Sequence, residues 1–176
     1  MRASSENRDE PIPLNIDLSE EQKKSRQRHI YDPYRNAIKH IIKKTRQKHG
    51  GVIVLDLHSF SPTWQGQKRD VQIGTLAFGQ NPMEREIVKY LEKTCSTNNL
   101  TFTENQPYNL SNLIFERTEP ARFIQKCNVW YTGLEIRNDL LKDPNMVQQI
   151  ANIIENTIEQ LKQHPDKDVF MRKKTL

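Results

Sequence analysis

The chain has 176 residues, a third of them apolar, which is enough for one modest core and too few for several independent domains. Its 27 basic and 22 acidic side chains leave a net charge of +5, spread too evenly to argue for a nucleic-acid partner. No apolar run approaches the ~20 residues of a membrane span, the N-terminus lacks a signal-peptide apolar region, and Cys95 and Cys127 have no Cys-x-x-Cys spacing. The expectation is a soluble cytoplasmic protein with free thiols and no membrane or nucleic-acid partner.

Residues 1–18 are polar and carry Pro11 and Pro13, so an extended lead-in is expected. A single α/β domain is expected over 19–163. Ser19-Glu-Glu-Gln22 has the form of a capping box and should start a helix. Pro33 should kink or restart it near Tyr31–Asp32, because proline lacks an amide donor and crowds the preceding turn. Tyr34, Ile38, Ile41 and Ile42 are expected as its buried stripe. Lys39 to Lys48 then form a solvated face, and Gly50-Gly51 ends the helix.

Gly51-Val-Ile-Val-Leu-Asp-Leu-His-Ser-Phe60 is a short apolar run that ends in polar groups. It reads as a strand covered on both faces, with Val54, Asp56 and His58 on one side and Ile53, Leu55 and Leu57 on the other. Ser61–Asp70 should be a loop and Val71–Phe78 a second strand. Pro82 suits the first turn of a helix to about Thr97, with Ile87, Val88 and Leu91 inward. A short strand is expected over Leu100–Thr103, turn chemistry at Asn105–Tyr108 and a short helix over Glu119–Lys126. Val129–Ile136 should be another strand. From Pro144, Val147, Ile150, Ile154, Ile158 and Leu161 recur at helical spacing, and a charged tail covers 164–176. This alternation predicts an α/β layered fold.

Ligands of such sheets bind at the carboxyl ends of strands, which places His58 near the centre of any site. A core histidine satisfied by a backbone carbonyl is the competing reading. In the later strand, alternation puts Tyr131, Gly133, Glu135 and Arg137 on one face. A buried Glu135 is costly unless it is paired, as with Arg137 or a lysine, or functional. Histidine with a glutamate nearby is the chemistry of a zinc site and its general base. Arg8, beside Asn7, and Arg69 can each hold a carboxylate through paired guanidinium donors. His29 and Asp32 have a chelating spacing on a helix, with Pro33 against it. His40 and His49 should face solvent, and Cys95 should be core.

Leu57-His-Ser-Phe-Ser-Pro62, Gly66-x-x-Arg69, Ile73-Gly74, Asn105-x-Pro-Tyr108 and Leu134-Glu-Ile-Arg-x-Asp-Leu-Leu141 follow one another in an order that resembles the N-formylglutamate amidohydrolase family. Ile12-Pro-x-Asn15, Leu18-Ser19 and Ile30-Tyr-x-Pro-Tyr34 match it too. The resemblance implies an α/β fold of three α/β/α layers around a mostly parallel or mixed sheet, whole or incomplete, like the zinc exopeptidases of the phosphorylase/hydrolase-like type. It also implies hydrolysis of N-formyl-L-glutamate to formate and glutamate late in histidine breakdown, the small-molecule partner being an N-acyl amino acid or dicarboxylate. By the same resemblance His58 is a zinc ligand, Glu135 the general base, and Asn7-Arg8 the grip on a substrate carboxylate. Arg69, Tyr108 and Arg137 line or support the pocket. The family's Pro-His-Ser-Gly-like stretch, with a further metal ligand, has no counterpart, and Arg35 stands where a histidine is usual. The alternatives are an inactive carboxylate-binding module or truncated relative that has lost the metal, and a basic interaction domain using Arg172-Lys-Lys174.

Overall fold

The structure, a computed structural model, describes residues 2–5, 8–11, 13–77, 82–108 and 128–164. The expected lead-in is extended but not isolated. Strands β1 (Arg2–Ser5) and β2 (Arg8–Pro11) pair antiparallel, Arg2 opposite Pro11, and a 3-10 turn follows over Pro13–Asn15. Nothing in the alternation of the two strands marks the pairing, since Ala3 and Pro11 are their only residues without a polar side chain.

Ser19 caps the first helix as its motif predicts. Its hydroxyl accepts from the Gln22 amide at 3.2 Å, and the Gln22 side chain accepts from the Ser19 amide at 2.9 Å. Helix α1 (Glu20–Arg26) passes through a π turn (Gln27–Tyr31) into α2 (Asp32–His49), so helical backbone is continuous from 20 to 49. The expected break at Pro33 takes this form: Pro33 has no amide to donate, and the Asp32 amide reaches back five residues to the Gln27 carbonyl. Gly50, at φ 84°, closes α2 with its amide on the Arg46 carbonyl, a left-handed geometry that suits glycine.

The buried stripe of α2 differs from the expected one. Ile42 alone is buried, against Val129 and Tyr131, whereas Tyr34 and Ile41 are 68% and 61% exposed and Ile38 is also exposed. The helix is rotated so that the line through Ile42 meets the sheet. The rest of the apolar set lies on the flank.

Strand β3 (Val52–Phe60) runs parallel to β8 (Val129–Arg137) over nine residue pairs. Within the expected loop, β4 (Thr63–Trp64) and β5 (Gln67–Lys68) form a small antiparallel pair. Strand β6 (Ile73–Leu76) lies antiparallel to β8 and parallel to β7 (Phe102–Glu104), giving the order β3-β8-β6-β7 in a mixed sheet. Helices α3 (Pro82–Thr97) and α4 (Pro144–Gln163) pack on the opposite face from α2. Ile87, Leu91, Cys95, Ile150 and Ile153 meet Ile73, Trp130, Leu134 and Ile136 there. In α4 the buried line runs through Ile150, Ile153, Thr157 and Leu161, while Val147 is exposed. Thr157 can occupy the core because its hydroxyl donates to the Ile153 carbonyl at 2.9 Å. Three layers result, as the family resemblance implied. The expected helix over Glu119–Lys126, Cys127 and the tail beyond His164 lie outside the described residues. No described helix is long and apolar enough to cross a membrane.

Candidate active site

The parallel register of β3 and β8 sets His58 beside Glu135 and Asp56 beside Gly133 at the carboxyl ends of both strands. Strand alternation puts all four on the face that α2 covers only at its amino-terminal half. Gly133 leaves an opening. A Cβ there would stand 3.3 Å from the Tyr131 hydroxyl and 3.0 Å from Leu76 Cβ. Through that space Tyr131 donates to Asp56 Oδ2 at 3.0 Å, and the same oxygen lies 2.9 Å from His58 Nε2. The imidazole is half exposed, so the competing reading of a core histidine bound by a backbone carbonyl does not describe it.

Glu135 is 4% exposed, and its Oε2 has no hydrogen-bond partner. A buried carboxylate oxygen left unpaired is destabilising, so the group tends to hold its proton. Burial raises the Glu135 pKa above the usual carboxylate range, His58 and Arg69 oppose the rise, and Asp56 adds to it. Burial, and then the Asp56 carboxylate, push the Tyr131 phenol upward as well. Both effects disfavour further negative charge around Asp56.

The structural pairing weighed for Glu135 does not form, because Arg137 is occupied elsewhere. Its Nε donates to Asp139 Oδ1 at 2.8 Å and its Nη1 to the Arg69 carbonyl at 3.0 Å. The first bond holds the Asp139 carboxyl below its ordinary pKa. Arg137 thus ties the end of β8 to the loop bearing Arg69. That loop presents the Arg69 guanidinium 5.1 Å from the centre of the Trp64 ring, 5.4 Å from Tyr108 and 5.6 Å from Phe60. Cation–π contacts on three rings fix its position, and Nη1 donates to the Ser61 carbonyl at 3.3 Å. Gly74, paired with Glu135 in the sheet, admits the segment before Tyr108, since a Cβ there would overlap the Gln106 carbonyl oxygen at 1.7 Å.

Of the residues singled out in the sequence, the fold therefore gathers His58 and Glu135 and sets Arg69, with Tyr108 against it, within electrostatic reach of Glu135. Arg137 contacts the Arg69 backbone carbonyl and not Glu135. Arg8 lies in β2, which pairs with β1 and not with the four-stranded sheet, and Asn7 lies outside the described residues. His29 Nδ1 sits 2.9 Å from the Ser25 carbonyl one turn back. Asp56, Tyr131 and Trp64 were not singled out as site residues. Alternation had already set Asp56 on the His58 face and Tyr131 on the Glu135 face, and only the pairing of the strands joins them.

Imidazole and carboxylate are zinc-binding groups, but among the described residues no three His, Cys, Asp or Glu side chains form a group that could hold a metal. Asp56 is engaged by Tyr131, and His58 Nε2 faces Asp56. The described donors fall short of a zinc site.

A mixed sheet between helical layers, with a histidine and a buried carboxylate side by side at its strand ends, defines an α/β/α protein with a candidate site at the carboxyl ends of its strands. The profile of the N-formylglutamate amidohydrolase family matches residues 3–142, and the chain belongs to that family. A gene product of Agrobacterium tumefaciens shares the fold with a TM-score of 0.68 at 27% identity, over 88% of this chain and 59% of that one. The N-formylglutamate amidohydrolase of Ralstonia eutropha superposes with a TM-score of 0.63 at 18% identity, over 85% of this chain and 56% of the other, a likeness of fold. The chain thus spans less than two thirds of either solved structure. No curated protein sequence matches it.

Proposed function

We propose that the chain carries an amidohydrolase centre for N-formyl or N-acyl amino acids, N-formylglutamate foremost, with Glu135 as general base. The observation that carries this reading is the buried, unpartnered Oε2 of Glu135 beside His58. A carboxylate with a raised pKa takes a proton more readily near neutrality than an exposed one. Glu135 removes a proton from water as the water oxygen bonds to the amide carbonyl carbon. It then returns that proton to the departing nitrogen as the C–N bond breaks, leaving formate and the free amino acid. Asp56 and Tyr131 orient His58 toward the reacting carbonyl. Arg69, pinned by its rings, offers a guanidinium to a substrate carboxylate or to charge developing on the carbonyl oxygen. Zinc, which the family resemblance implies, requires donors beyond the described ones, and no step here passes through it. A place in histidine breakdown and a cytoplasmic setting belong to the same reading.

The test is formate release from N-formyl-L-glutamate by the purified chain. Glu135→Gln should lower kcat by about 10²–10⁴-fold, the usual size of a general-base contribution, with KM little changed. Full activity in that variant would remove Glu135 from the mechanism.

A further inference from the structure

The β4–β5 hairpin lies outside the four-stranded sheet, and its register sets Trp64 against Arg69. Its two turn residues, Gln65 and Gly66, have φ of 52° and 76°, the doubly left-handed geometry of a tight two-residue turn. Thr63 pairs with Lys68 and Trp64 with Gln67, and the Arg69 amide donates to the Pro62 carbonyl at 2.8 Å, which extends the ladder by one pair. In that register Trp64 and Arg69 are diagonal neighbours on one face of the hairpin, a separation that an indole and a long side chain span. The ring centre and the guanidinium carbon are 5.1 Å apart. The Arg69 backbone is fixed from its other side, since Arg137 Nη1 donates to its carbonyl at 3.0 Å.

Three rings surround that guanidinium, but they are not equivalent. Phe60 is 2% exposed and closes the end of β3, so it belongs to the core. Tyr108 comes from the segment that Gly74 admits. Trp64 is half buried and stands closest, and indole is the strongest cation–π partner of the three. Of the five N–H donors of the Arg69 guanidinium, one on Nη1 goes to the Ser61 carbonyl at 3.3 Å. Among the described residues no further side-chain hydrogen bond and no carboxylate engages it. A partly buried guanidinium wrapped in rings, with no counter-ion among the described residues, suits an anionic ligand. Its field at Glu135 is also weaker than those of His58 and Asp56, which sets it toward the remote half of a substrate and not at the reacting carbonyl.

On the reading of this site as an acyl-amino-acid centre, we propose that Trp64 is a positioning residue: its indole holds the Arg69 guanidinium so that the remaining N–H donors receive a carboxylate of the amino-acid half. The site thereby selects ligands with an ionised carboxylate over their amides. Loss of the ring releases a long side chain with several rotatable bonds, and its ordering must then be supplied on binding. The change falls on affinity, because a grip on the remote half contributes equally in the ground state and the transition state.

The probe is L-glutamate, the free amino acid that hydrolysis would release, titrated into the full chain by calorimetry beside its diamide. Trp64→Leu should weaken L-glutamate binding about tenfold, and Trp64→Phe, which keeps a ring face, by no more than about threefold. The diamide should bind more weakly than L-glutamate and be indifferent to both substitutions. The chain holds two tryptophans, Trp64 and the buried Trp130. In protein carrying 5-fluorotryptophan, only the Trp64 fluorine resonance, assigned by its loss in Trp64→Phe, should shift on addition of L-glutamate. That readout stands even if Trp64→Leu fails to fold. Unchanged affinity in a folded Trp64→Leu variant, equal losses in the Leu and Phe variants, or equal binding of the diamide would each overturn the proposal. So would a Trp64 resonance indifferent to saturating L-glutamate, or absence of L-glutamate binding to the unaltered chain. In the formate assay, Trp64→Leu should raise KM for N-formyl-L-glutamate about tenfold at nearly constant kcat. The binding readouts use no turnover, so a chain that follows them and releases no formate contradicts only the proposed hydrolysis.

Discussion

At the scale of single residues, Glu135 is held where its charged form is disfavoured. Its pKa is raised in the fold, so the folded state binds its proton more tightly than the unfolded chain does. The associated stability is complete below the unfolded carboxylate value of about 4.3 and is lost as pH rises through the folded pKa. Glu135→Gln should accordingly raise Tm at pH 8 and change it little at pH 4, checked by thermal melts at both values. The same shift gives activity an acid limb: kcat/KM should rise with pH through the raised pKa, because only the ionised carboxylate accepts a proton. A variant that is more stable and less active would show the strain of a functional group, the pattern in which sites trade stability for chemistry. Tyr131→Phe deletes the donor to Asp56, and a loss of about 0.5–1.5 kcal/mol is expected in chemical denaturation. His58 should then lose its fixed orientation, so that kcat falls while KM for the substrate is retained.

Elements set these residues by register and by space. Glycine at 74 is required because the Gln106 carbonyl occupies the place of its Cβ, at 1.7 Å. Gly74→Ala should displace the 105–108 segment, remove Tyr108 from Arg69 and cost several kcal/mol, read as a lowered denaturation midpoint together with altered tyrosine fluorescence. In α4, Ile153 is 1% exposed within the main core, and Ile153→Ala should cost about 2–5 kcal/mol through lost burial and the cavity left behind. Ser19→Ala removes one half of the capping box, and a smaller loss, about 1 kcal/mol, is expected. Caps and glycine stops were legible in the sequence because their hydrogen bonds are local. The stripe of α2 was not. Periodicity finds an apolar face but carries no information on which part of it meets the sheet, and here Ile42 does so while Tyr34 and Ile41 do not.

For the whole molecule, family membership and the mixed α/β/α sheet agree. The apolar flank of α2 and, among the described residues, a donor set around His58 that stops short of a metal site lie toward the same sheet face. The sequence by itself determined the strand carrying His58, the strand carrying Glu135, the capped first helix and the family motifs, since each is written in neighbouring residues through alternation, capping and turn chemistry. Only the tertiary structure decided that His58 and Glu135 meet, that Arg137 serves Arg69 instead of Glu135, and that Tyr131 reaches Asp56. Those outcomes depend on the order and register of strands about 75 residues apart in the chain, which no local pattern encodes.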